Sequence, residues 1–316
     1  MDGFAVARVL VGAGFLVVAA VLDVRTRRVC DPIWIAMGTA GLAVLALDIL
    51  TSAGSVNDWL LFGSAAILFY AVFFGNPLLD EDGVHVRPVR LLLLAVAAIS
   101  FFAAVLLPNP VDSILLRFGV RGLPLSEFAS VPILMIVYQG FFQLGLLRGG
   151  ADTKAMMALT LLLPYYPDLS PFPALAMPSN VAGAMRTVFP FSLVVLLNAA
   201  ILFLAVPVAY LIVNAVRGEF EFPQALFGTK ASLDGLPPHV WLMERVDRRG
   251  ERVAVLFPSR SKDEAEEVAK LKAAGADRVW VQPKVPFMVP LLIGFVLACV
   301  VGNLMLGFLT AVLPHP

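Results

Sequence analysis

Seven apolar runs recur along the chain, and they limit its fold more than any other feature. They are Phe4–Leu22, Ile33–Leu50, Trp59–Phe74, Leu91–Leu107, Val131–Leu147, Phe191–Val213 and Phe287–Leu313. A bilayer core of ~30 Å takes ~20 helical residues, and the backbone polar groups inside it must be satisfied within the segment. Runs of this length are therefore expected to fold as membrane-spanning helices, with slight shortness absorbed by local thinning. An eighth run, Ala155–Leu163, is about half as long and stops at the Pro-Tyr-Tyr-Pro segment of residues 164–167. It reads either as a half-helix or as a short span.

Composition agrees with the runs. Hydrophobic residues make up 59% of the 316 and charged residues only 15%, against about 25% charge in a soluble domain. Net charge is zero, which gives no electrostatic reason to expect a nucleic-acid partner. Cys30 and Cys299 lie far apart, and His85, His239 and His315 are scattered. No spacing suits a zinc site, so neither a metal nor an organic cofactor is expected. The first run is followed, not preceded, by its basic cluster, the reverse of a cleaved signal. It reads as a retained span.

Arg and Lys set the expected orientation. Arg25, Arg27 and Arg28 follow the first run, Arg87 and Arg90 the third, and Arg217 the Phe191–Val213 run; Arg148 and Lys154 flank a glycine pair. Placing these in the cytosol puts loops 51–58, 108–130 and 164–190 outside, where they carry only Arg117, Arg121 and Arg186. The alternation then requires Ala155–Leu163 to cross. The expected fold is an all-α polytopic membrane protein of about eight transmembrane helices, embedded in the cell membrane.

Residues 214–286 break the pattern with charges of both signs and Pro237-Pro238. HVWLMERV and ERVAVLF, joined through Asp247–Gly250, read as a hairpin. Ser261 with Glu264 starts an amphipathic helical pattern running to Ala274, and ADRVWVQP reads as a further strand. The expected division is 1–213 as transmembrane domain, 214–286 as a small cytosolic α/β module inserted before the last helix, and 287–316 as a C-terminal span.

Within LLRGGADTKAMMAL, residues 146–159, a carboxylate sits in a glycine turn between two apolar runs. The first run ends VLDVRTRRVCDPIW, so Asp23 and Asp152 lie on one face of the membrane in this topology. Two neighbouring carboxylates cannot both ionise cheaply, and such a pair can share one proton. One member then activates a water and the other polarises a scissile carbonyl. Gly149 and Gly150 allow close approach of backbone or substrate. Lys154 and Arg25 can tune the field of the pair or simply anchor the helices. Each Asp taken alone also reads as a boundary charge, as Asp31, Asp48, Asp58, Asp80 and Asp82 do. The acidic stretch of residues 78–86 could attract a basic substrate segment or be a solvated turn.

RGGADTKAMMA resembles the GxGDxK motif of the type IV prepilin peptidases, the GxGD aspartic proteases of peptidase A24 type. DVRTRRVCDPIW resembles their other motif, an Asp closing the first span and followed by basic residues. The later segments FPFSLVVLLNAAI, HVWLMER and VWVQPKVPFMVPLLIGF are similar to the archaeal branch, which processes preflagellins (prearchaellins) and prepilins. The resemblance implies that Asp23 and Asp152 form a catalytic pair. It also implies a cytosol-facing endopeptidase whose partners are type IV pilin-like or archaellin precursors with short basic leaders. Ala151 stands where the motif has its second Gly, and Cys30 where Pro is common. The four-Cys zinc module of many bacterial relatives is absent. Two alternatives stay open: a transporter or channel using boundary carboxylates, and a presenilin-like GxGD intramembrane protease, against which DVRTRRVCD argues.

Overall fold

The computed structural model describes residues 3–52, 54–74, 79–80, 83–84, 87–106, 125–147, 149–175, 186–247, 249–256, 258 and 264–312. The chain divides into two compact units, Met1–Ala199 with Phe287–Pro316, and Ala200–Pro286.

The first unit is a helix bundle. In chain order it holds α1 (Gly3–Thr26), α2 (Asp31–Thr51), α3 (Val56–Phe73), a short β1–β2 hairpin (Leu79–Asp80, Gly83–Val84) and α4 (Pro88–Leu106). These are followed by α5 (Leu125–Gln143), α6 (Gly150–Leu162) and α7 (Phe191–Phe203), after which α8 (Ala205–Val216) belongs to the second unit. The C-terminal α10 (Met288–Val300) and α11 (Leu304–Val312) return to the bundle. Five segments are long and apolar enough to cross a membrane: α1, α2, α3, α4 and the 26 residues Phe191–Val216. Eight such spans are therefore not found among the described residues. The run expected at 131–147 folds as α5 four residues short of its apolar end, because Gly145 (φ 72) turns the chain.

Packing follows from small and apolar residues. α6 lies along α2, α1 along α10, and α3 along α4 and α5. A Cβ added at Gly41 would stand 2.7 Å from Leu162 N, so only glycine lets α2 approach the α6 backbone this closely. Trp34, Phe69, Phe128, Tyr138, Phe191 and Phe295 fill the buried centre. Three of its polar groups meet one another: Tyr138 Oη and Ser192 Oγ are 2.9 Å apart, and the Thr160 hydroxyl donates to Ser192 Oγ at 2.8 Å. At the head of α3, Ser55 and Asp58 form a reciprocal capping box.

Two helical segments fall short of a full span. α6 has 13 residues, about 20 Å of helix, well short of a ~30 Å core. Its open end is closed by Arg8, which is only 2% exposed. Arg8 Nη1 donates to Leu162 O at 3.1 Å and Nη2 to Asp48 Oδ2 at 2.9 Å. The Tyr165 ring lies 5.1 Å from the guanidinium carbon. The expected continuous span at 287–313 is instead broken after Val300, around Gly302 (φ 107). Ala174 and Leu175 donate to Val300 O and Val301 O, both at 2.9 Å. Asn198 Nδ2 donates to Gly302 O at 2.9 Å, and Leu304 N donates to Asn198 Oδ1 at 3.1 Å. Several of the backbone groups freed by the break are thus met by protein, the condition under which irregular backbone is tolerated in an apolar bundle.

The second unit is α/β. β3 (Thr229–Ser232), β7 (Arg278–Pro283) and β4 (Val240–Leu242) form an antiparallel sheet in the order β3-β7-β4. β5 (Glu244–Val246) and β6 (Arg252–Ala254) form a separate hairpin, and α9 runs Glu264–Ala273. HVWLMERV is therefore two strands, not one. Glu244 explains the division: its Oε1 accepts the Trp280 backbone N–H at 2.8 Å, so a side chain takes a position in the ladder. Arg252 pairs with the same carboxylate at 2.6 Å. Ser261, the expected cap of α9, lies outside the described residues.

Candidate active site

The site is built from the ends of four helices. Asp23 stands in the last turn of α1. The chain then reverses at Arg27, whose φ of 54 lies in the left-handed region, and whose N–H donates to Asp23 O at 3.0 Å. Thr26 secures this turn: its hydroxyl bonds Leu22 O at 2.8 Å and accepts the Arg28 N–H at 3.3 Å. Asp31 begins α2 with Pro32 beside it, so only residues 27–30 separate the two helices. The Asp23 carboxylate reaches α10, where Oδ2 accepts the Met288 backbone N–H at 3.1 Å. That N–H belongs to the first turn of a helix and has no acceptor within the helix.

Asp152 stands three positions into the cap of α6, with Gly149 at the N-cap. Its carboxylate folds back to the Gly149 N–H. The arrangement is the carboxylate half of a capping box, with glycine where Ser or Thr is common. Glycine at 149 is what leaves room for this placement of the carboxylate. A Cβ there would stand 2.8 Å from Asp152 Cγ and closer still to Oδ2. Glycine at 150 is not needed for this: a Cβ there would meet nothing nearer than the Phe142 ring at 3.8 Å. Asp152 is half-buried, and its carboxyl lies within the electrostatic reach of Asp23. The two sequence motifs, far apart in the chain, thus bring their carboxylates to one end of the bundle.

The other predicted residues part company. Lys154 Nζ donates to Asp31 Oδ1 at 2.7 Å and lies 5.3 Å from the Phe73 ring centroid. Arg25 is exposed in the last turn of α1. Cys30 is exposed and Cys299 buried, and both are free. Among the described residues no group of three His, Cys, Asp or Glu side chains could hold a metal ion. The acidic side chains at positions 80–82 lie outside the described residues. Sequence reasoning missed two partners. One is the Met288 N–H, which no side-chain pattern signals. The other is Asp31, read only as a boundary charge; its signal is an acidic helix start, the complement of Lys154, which reads as tuning the field of the pair or anchoring a helix.

Two carboxylates from separate helices, at one end of an apolar bundle, make this a candidate site in a polytopic chain of membrane type. Comparison with known proteins carries this further. Residues 221–304 match the family described as Archaeal Peptidase A24 C-terminus Type II. A preflagellin peptidase of Methanocaldococcus jannaschii is 26% identical over 193 residues, covering 58% of this chain and 74% of the relative. The two findings agree, and together they support the archaeal preflagellin peptidase family and a protease.

Proposed function

We propose that the chain is a membrane aspartic endopeptidase that removes the short basic leader of type IV prepilin-like and prearchaellin precursors at the cytosolic membrane face. The observation that carries this reading is the meeting of Asp23 and Asp152, each in a built position, within electrostatic reach of each other. Close carboxylates favour a state with one shared proton. The ionised member takes a proton from water as the water attacks the scissile carbonyl carbon. The protonated member hydrogen-bonds to the carbonyl oxygen and gives up its proton as the tetrahedral intermediate forms. The newly protonated member then passes its proton to the amide nitrogen as the C–N bond breaks, and the other member takes a proton back from a hydroxyl of the gem-diol, which leaves the carboxylic acid, the free amine and a pair with one proton.

Membrane placement follows from charge. In the proposed topology the ends of α1, α2, α6 and α10 that form the site face the cytosol, and α6 crosses despite its length. The Arg8 closure supports this, because it supplies the bond donors that a helix ending inside the bilayer needs. A transporter reading has less support, since the carboxylates sit at helix ends, not at mid-span. The direct test is cleavage. Membranes containing this chain are expected to shorten a preflagellin-like precursor by its leader, and otherwise identical membranes lacking the chain are not. An intact precursor in both preparations would overturn the proposal.

A further inference from the structure

The Asp31–Lys154 ion pair joins the two segments that carry the candidate catalytic carboxylates. Asp31 is the first residue of α2, eight positions after Asp23. Lys154 is in the first turn of α6, two positions after Asp152. At 100° per residue, positions two apart project from nearly opposite sides of a helix. Lys154 therefore points away from the side of α6 that presents Asp152. It holds Asp31 at 2.7 Å and rests against Phe73 at the end of α3.

Both ends of this contact are stiffly coupled to the pair. On one side lie four residues of turn, fastened by the Arg27 N–H on Asp23 O and by the Thr26 hydroxyl. On the other lies a single helical turn. Asp23 has a second anchor in Met288 N, whereas α6 starts on the Gly149-Gly150 pair, after the Gly145 turn. Its N-terminal end needs an external restraint to fix its depth. We propose that Asp31 and Lys154 are positioning residues that set the separation of Asp23 and Asp152 through the backbone. This inference rests on the aspartic-peptidase reading above.

The pair is partly exposed, with side chains 51% and 22% accessible. Exposed pairs add little to stability, so its loss leaves the fold intact. A displacement approaching 1 Å at a reacting group can nonetheless cost ~100-fold in rate. The experiment measures precursor cleavage per inserted protein for Asp31→Asn, Lys154→Met, the exchange Asp31→Lys with Lys154→Asp, and Asp23→Asn. Asp234→Ala, which breaks a similar exposed pair with Lys272 in the second unit, is the control. Asp31→Asn and Lys154→Met are each expected to lower kcat about 10-fold with KM within about 2-fold, Asp234→Ala to leave both unchanged, and Asp23→Asn to be inactive. The exchange is expected to recover most of the loss. High salt should slow the parent protein toward the single variants and leave those variants unmoved.

Wild-type kcat in both single variants, with Asp23→Asn inactive, would overturn the positioning role alone. Losses that the exchange fails to recover would also overturn it, by giving each residue a separate part. Full cleavage by Asp23→Asn would instead remove the peptidase assignment on which the inference rests.

Discussion

Gly149→Ala isolates the geometry of the Asp152 carboxylate. At φ −96 and ψ 122 the N-cap backbone suits alanine, so no main-chain strain arises. The cost of Ala for Gly at an N-cap is of the order of a few tenths of a kcal/mol to ~1 kcal/mol. The new methyl carbon would stand 2.8 Å from Asp152 Cγ, whereas carbon atoms rest at ~3.5–4.0 Å. The carboxylate must therefore retreat by roughly 0.7–1.2 Å and give up the Gly149 N–H. Misplacement on that scale costs ~100-fold, or ~2.7 kcal/mol of transition-state stabilisation. Gly150→Ala is the matched control, because its methyl would meet only ordinary contact at 3.8 Å. Initial rates of precursor cleavage, normalised to inserted protein, should fall about 100-fold for Gly149→Ala and stay near the parent value for Gly150→Ala. Equal rates for the two variants, or a larger loss at 150, would refute the steric argument.

Further outcomes follow from other parts of the molecule. Arg8→Leu leaves Asp48 buried without its 2.9 Å partner and Leu162 O without its donor. It should destabilise the bundle by ~3–5 kcal/mol in detergent unfolding, and Arg8→Leu with Asp48→Leu should cost less. Glu221 is held below the ordinary carboxylate range first by its bond from Lys230 and then by that from Trp280 Nε1. A depressed carboxylate stabilises above its unfolded value, and that stabilisation fades as pH falls through the folded value. The Trp280 Nε1–H resonance should accordingly shift below the ordinary carboxylate range, and Glu221→Gln should abolish that step. A cysteine at Lys272 should resist impermeant reagents in intact cells while one at Ser170 reacts; labelling of position 272 would contradict the proposed orientation.

Much of the bundle was legible because hydropathy runs report helices directly, as at α1 to α4. Helix ends were less so. The apolar run containing α10 and α11 carries only Gly302-Asn303 at its break, and its interruption is completed by bonds from Asn198 and residues 174–175 that only the fold brings near. α6 was legible as a short segment, but its closure by Arg8 was not, since Arg8 lies 154 positions away in the chain. HVWLMERV read as one strand because alternation cannot show a buried glutamate substituting for backbone. At the site, Asp23 and Asp152 stood out as carboxylates bordering apolar runs. The difference between Gly149 and Gly150 did not, because it depends on where one side chain folds. Asp31 was read as a boundary charge for the same reason: its partner is set by the parallel packing of α2 and α6.

The central claim is that Asp23 and Asp152 act as one unit. The most direct measurement is precursor cleavage by Asp23→Asn, Asp152→Asn and the double variant, in membranes free of any other such peptidase. Asn keeps the shape of the carboxylate but can neither carry its charge nor accept its proton. Each single variant should lose cleavage while still inserting, and the double variant should be no worse than either, because members of one catalytic unit are not additive. Substantial cleavage by either single variant, or separate losses that sum in the double, would contradict it.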